Sequence, residues 1–110
     1  MNTKSYNKTV EISLDHLFYR IEVSFNSKDF LNERGIECAT EYIENGHIKL
    51  HFRSKPKYID FPSVAHEVVH CLQWIAKDRN IEFIKEEEHF AYLMQYILNR
   101  ILNLEYRLWI

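Results

Sequence analysis

His66, Glu67 and His70 stand in the order His-Glu-x-x-His inside the run Ser63-Val64-Ala65-His66-Glu67-Val68-Val69-His70. On a helix, residues four apart are separated by about 40° around the axis, so the two imidazoles point the same way. They can converge on one ion at about 2.0–2.1 Å each. Glu67 is offset by one position and lies beside that ion, where a general base takes a proton from zinc-bound water. The pattern therefore supports metal-assisted hydrolysis with zinc (Zn2+) as the cofactor. Two histidines alone do not make a catalytic zinc site, which ordinarily shows three protein ligands and one open position.

One metalloprotease class takes a glutamate of the next helix as its third ligand, and resemblance to that class implies the same here. Glu86, Glu87, Glu88 and His89 open that helix, and the spacing from His70 leaves room for the end of one helix, a turn and the start of another. An antiparallel pair of helices would bring Glu88 back over the histidines. Phe90, Leu93 and Ile97 must face the core, and Glu88 then shares a helix edge with Ala91, Tyr92 and Gln95. Small Ala91 permits close approach of the first helix. The order of preference is Glu88, then Glu87, then His89, while Glu86 reads as part of a solvated helix start.

The elements that must position these residues follow from periodicity. Residues 9–14 and 19–25 alternate with period two and read as strands. Asn26 to Asp29 supply turn chemistry, and Asp29 to Arg34 form a short helical turn ending at Gly35. Residues 36–43 and 47–53 are β-rich runs joined through Asn45-Gly46, a hairpin signature. In the second run Ile48, Leu50 and Phe52 face one way; Lys49, His51 and Arg53 face the other. Asp60 is the expected N-cap of the metal-bearing helix, with Pro62 in its first turn. That helix runs to about Lys77 on a stripe of Val64, Val68, Leu72 and Ile75. A second begins near Lys85 on a stripe of Phe90, Leu93, Met94, Ile97, Ile101 and Leu104, and its first-turn glutamates suit the positive end of the helix dipole. The expected fold is α+β: a small antiparallel sheet of three or four strands packed against two main helices, as one domain over residues 1–110.

Composition narrows the function classes. With 14 basic and 16 acidic residues the net charge is −2, which argues against a nucleic-acid footprint and gives no attraction to anionic membranes. No signal peptide and no bilayer-length apolar run is read, so a cytoplasmic setting is expected. Cys38 and Cys71 read as buried thiols rather than a disulfide. His47 and His51 read as solvated, nothing attaches to His16, and Cys71, turned about 100° from His70, reads as core.

The His66-Glu67-Val68-Val69-His70 helix followed by Glu88-His89-Phe90-Ala91-Tyr92-Leu93 resembles the small zincin-like metallopeptidases of bacteriophages and prophages, and more broadly the gluzincin layout. The resemblance spans residues from about 58 to 98. It implies zinc ligands His66, His70 and Glu88, with Glu67 as catalytic base and Tyr92 as an oxyanion-stabilising or supporting group. It also implies a peptide or protein substrate, and the host cytoplasm or the virion as the setting. In such a fold an edge strand just before the metal helix pairs with an extended peptide, a role that would fall to His47–Arg53 or to Lys57-Tyr58-Ile59. The chain departs from large gluzincins in lacking their C-terminal helical domain, and from metzincins in lacking a third histidine six residues past His70. The competing expectation is a non-catalytic zinc-containing binding or structural module of the same phage type.

Overall fold

Period-two alternation in the first half of the chain becomes four strands, β1 (Thr9–Leu14), β2 (Tyr19–Ser24), β3 (Cys38–Glu44) and β4 (His47–Phe52). The computed structural model describes residues 9–25, 27–53 and 61–109, with side chains up to Leu102 in the last stretch. The Asp60 cap, the alternative strand at 57–59 and the side chain of Leu104 lie outside the described residues. Three helices complete the fold: α1 (Lys28–Arg34), α2 (Phe61–Arg79) and α3 (Glu87–Trp109). A 3-10 turn over Asp15–Leu17 links β1 to β2. The architecture is α+β, as the periodicities require.

The sheet is mixed rather than wholly antiparallel. Its strand order is β1-β2-β4-β3, with β1 and β3 antiparallel to their neighbours and β4 parallel to β2. The chain leaves β2, passes through α1 and lays β3 at the far edge. The hairpin then folds β4 into the space between, and that crossover sets the parallel pairing. Gly46 turns the hairpin at φ +90°, and a bulge falls between Tyr42 and Glu44. Gly35 closes α1 at φ +65°, a left-handed cap that a residue without Cβ adopts freely.

One face of the sheet carries the core. Ile12, Ile21, Val23, Ile48, Leu50 and Phe52 point inward against Val64, Val68, Leu72 and Ile75 of α2 and Phe90, Leu93, Ile97 and Ile101 of α3. Each such side chain contributes about 1.5–3 kcal/mol by leaving water. Cys71 is fully buried among them, and no disulfide joins it to Cys38, which is only half-buried.

The C-terminal end of α2 is fastened to the sheet. Asp78 accepts hydrogen bonds from the hydroxyls of Tyr19 (2.7 Å) and Tyr42 (2.9 Å). Burial, reinforced by Asp78, pushes the Tyr19 hydroxyl well above its usual range. Arg79 donates to the carbonyls of Leu17 (2.6 Å) and Phe18 (2.8 Å). Higher up, Trp74 stacks on Tyr42 with ring centroids 4.2 Å apart. These ties lay α2 along β3 and thereby set which α2 residues meet which strand residues.

Candidate functional site

His66 and His70 occupy the exposed side of α2, as four-residue spacing dictates. Their rings meet edge to face at 77°, with the two Nε2 atoms 3.2 Å apart. Two imidazole nitrogens bound to one tetrahedral ion at zinc distances stand about 3.3–3.4 Å apart. The pair therefore fits two positions of such a coordination shell.

Glu67, one residue on, turns toward the sheet and is only 4% exposed. Its carboxylate is held from β3: Thr40 Oγ1 donates to Oε1 at 2.7 Å, and Cys38 Sγ donates to Oε2 at 3.3 Å. The Thr40 hydroxyl also lies 3.2 Å from the Glu67 backbone carbonyl. A buried carboxylate demands such partners. Burial and the Glu67 charge together push the Cys71 thiol well above its usual range.

Periodicity alone did not single out Thr40 and Cys38. A signal was nonetheless present, because the inward row of β3 reads Cys38, Thr40, Tyr42 where neighbouring β4 places Ile48, Leu50 and Phe52. Polar groups on a core-facing row need partners. All three find them on α2, in Glu67 and Asp78.

The other expected site residues are placed elsewhere. Glu88 is the second residue of α3 and is exposed, as is Glu87; His89 is half-buried. Between His70 and the end of α2 lie about two and a half turns, roughly 13 Å of rise, and α3 begins only after that end. Among the described residues, no group of three His, Cys, Asp or Glu side chains is gathered in a way that could hold a metal ion. Tyr92 is 65% exposed and lines a groove of about 490 Å³ with Asp15, His16, His89 and Tyr96. That groove adjoins β1, whereas the Glu67 carboxylate is held by β3, at the opposite edge of the sheet among the described residues. The structure thus separates Tyr92 from the Glu67 carboxylate.

Two further expectations are corrected. β4 is an interior strand with both backbone edges used, so His47–Arg53 cannot take a peptide; β3 is the edge beside the site. His47 and His51 are buried, not solvated. Phe30 of α1 stacks on the His51 ring at 3.8 Å, and Arg20 and Glu22 flank His47. A short helix and long neighbouring side chains cover what alternation alone marks as an outward face.

Comparison with known proteins leaves the family open. No protein-family model matches the chain, and no solved structure matches it. Part of the chain is similar to endo-1,4-beta-xylanase A of Thermotoga neapolitana, 28% identical over 107 residues, covering 73% of this chain and 10% of the xylanase. The chain thus spans about a tenth of that relative's length. Among the described residues, no helix is long and apolar enough to cross a membrane.

Proposed function

We propose that this chain is a zinc-dependent peptide hydrolase centred on α2. The observation that carries the reading is the convergence of His66 and His70, Nε2 to Nε2 at 3.2 Å, with the Glu67 carboxylate fixed one residue away. His66 and His70 would hold the ion, and Glu88 is the candidate third ligand on the resemblance to phage zincin-like metallopeptidases. Zinc bound there supplies a Lewis acid and an acidified water. Glu67 would accept a proton from the attacking water and pass it to the leaving amine as the peptide C–N bond breaks. Strand β3, at the edge of the sheet among the described residues, would offer its backbone to an extended peptide, in place of β4. A reducing, cytoplasmic setting accords with thiols that form no disulfide with one another.

Glycoside hydrolysis runs on two facing carboxylates. The α2–β3 site offers one, so the xylanase's activity is not carried over. The reading as a non-catalytic zinc module draws on the exposed position of Glu88 at the far end of α2.

The test is zinc content by elemental analysis, together with cleavage of unfolded casein with and without chelator, for the parent protein and Glu67→Gln. One zinc per chain and chelator-sensitive cleavage in the parent, with zinc kept and cleavage lost in Glu67→Gln, is the expected result. Zinc without cleavage in the parent favours the non-catalytic module. No zinc after dialysis against the metal removes both readings.

A further inference from the structure

The groove that holds Tyr92 has a volume of about 490 Å³, a size that suits a small molecule. Asp15 and His16 line it from the 3-10 turn between β1 and β2, and His89, Tyr92 and Tyr96 line it from α3. Leu14 and Leu93 line it too, and at 2% and 4% exposure they belong to the core, which makes a firm floor. The rings of His16 and His89 join the two elements, with centroids 5.8 Å apart and planes tilted by 46°.

Both walls are held in place without a ligand. Phe18, which follows the turn, adopts φ +51°, a left-handed conformation uncommon for a bulky aromatic residue. Its N–H closes the turn on the Asp15 carbonyl, and Arg79 donates to the carbonyls of Leu17 and Phe18. Backbone strain of this kind clusters at ligand clamps, where it fixes side chains in advance. On α3, Tyr92 and Tyr96 stand one turn apart and are 65% and 45% exposed. Rings left open above a leucine floor offer apolar surface and electron-rich faces in one place.

Charge selects the ligand. Asp15 is the one carboxylate lining the groove, and among the described residues no Lys or Arg lines it. Glu87 and Glu88 directly precede His89 on α3, so the surroundings are acidic as well. A negative charge beside aromatic faces favours a cation with an apolar surface, because the ring quadrupole attracts positive charge. We propose that this groove binds a small organic cation of the alkylammonium class, its positive head against the Tyr92 and Tyr96 rings and balanced by Asp15. The site is separate from the α2 residues and does not depend on the hydrolase reading.

The experiment titrates two probes into the full chain and follows the tyrosine and histidine ring signals by NMR. One is choline; the other is its neutral carbon isostere, in which a tert-butyl group replaces the trimethylammonium. Choline is expected to bind saturably at about millimolar concentration, moving the Tyr92 and Tyr96 signals, and the isostere about tenfold more weakly. Tyr92→Ala and Tyr96→Ala should each weaken choline binding about 3–10-fold, and Asp15→Asn about 2–5-fold. Tyr92→Phe, which keeps the ring, should stay within about twofold of the parent.

No saturable shift up to about 50 mM choline, far above the range expected of so small a ligand, overturns the site. Equal binding of the isostere overturns the cation class. Choline binding left intact by folded Tyr92→Ala, Tyr96→Ala and Asp15→Asn puts the ligand elsewhere and overturns the proposal too. Should a tyrosine variant fail to fold, the parent decides: choline preferred over the isostere, with the groove's ring signals moving, supports the proposal, and either feature missing overturns it.

Discussion

Four histidines of this chain fall into two pairs that could hardly be used more differently. His47 and His51 lie on β4, buried, with both ring nitrogens engaged. His47 is bonded to Glu22 (2.9 Å) and Arg20 (3.2 Å), and His51 to Glu41 (2.7 Å) and Ser27 (2.8 Å). At His47, Arg20 donates to Nδ1 and Nε2 meets the Glu22 carboxylate; at His51, Nε2 meets Glu41 and Nδ1 meets the Ser27 hydroxyl, which itself donates to Ser24. His66 and His70 lie exposed on α2 and turn their Nε2 atoms toward each other. The β4 histidines are finished by buried neighbours, whereas the α2 pair is exposed and its Nε2 atoms lie at hydrogen-bond distance from each other. Burial and partners, more than residue type, separate a structural histidine from a candidate ligand.

The largest effect expected from this contrast is on metal binding. His66→Ala or His70→Ala should abolish zinc uptake, while His51→Ala keeps one zinc per chain. With zinc at about a hundred times its dissociation constant, the parent gains about 2.7 kcal/mol of stability, seen as a raised thermal midpoint that His66→Ala does not show. Equal zinc uptake by His66→Ala and the parent would erase the distinction between the pairs.

Stability should show the reverse ranking. His51→Ala leaves the Glu41 carboxylate and the Ser27 hydroxyl without their ring partner and removes the stack on Phe30, at a cost of about 1–3 kcal/mol. Exposed His66→Ala, in metal-free protein, should lie within about 0.5 kcal/mol of the parent. Urea denaturation of the apo proteins measures both.

The pH dependence follows from the same burial. Burial pushes the His51 pKa below its ordinary 6.5, assisted by the charges of Lys49 and Arg34, and Glu41 only partly offsets this. The unfolded chain therefore binds a proton at this residue before the folded one does. Stability contributed by neutral His51 is fully present above about pH 6.5 and declines as pH falls from there toward the depressed folded value. Glu22 acts in a lower window. Its burial favours the protonated form, but the His47 bond and Lys49 outweigh it and hold the carboxyl below 4.5, so its contribution is lost only in stronger acid. Apo-protein urea midpoints from pH 7.5 to 5 should fall in the parent and fall less in His51→Gln.

The legible parts of this molecule are those fixed by short-range pattern. The strands, the hairpin at Asn45-Gly46, the cap at Gly35 and the stripes of α2 and α3 all follow from period and turn chemistry. So does the meeting of His66 with His70, which four-residue spacing guarantees on any helix. What pattern could not supply is long-range. The insertion of β4 between β2 and β3, the covering of His51 by Phe30, and the grip of Thr40 on Glu67 depend on which elements lie side by side. Glu88 shows the same limit: helical phase assigns it an edge of α3, but phase carries no information about height along the partner helix. Glu88→Ala is expected to weaken zinc binding at least tenfold if the resemblance holds for the third ligand. Unchanged affinity, read by competition with a chelating dye, would instead follow the exposed placement at the end of α2.

Tyr92 offers the smallest expected effect and a sharp one. Its position one turn after Glu88 makes it attractive as an oxyanion-stabilising group, yet such a donor must lie within about 3 Å of the developing charge. In the structure it stands over the groove beside β1, with His16 and His89, while the Glu67 carboxylate is held at β3. Two interior strands separate these edges, and strands lie about 4.8 Å apart, so no rotamer change closes the gap. Tyr92→Phe, which removes only the hydroxyl, should leave kcat and KM on casein within about twofold of the parent, and stability within about 0.5 kcal/mol as for other exposed positions. A drop in kcat of a hundredfold with KM unchanged would mean that the hydroxyl acts in the transition state. α3 would then have to lie across the sheet differently during turnover, bringing the β1 groove and the β3 site into one cleft.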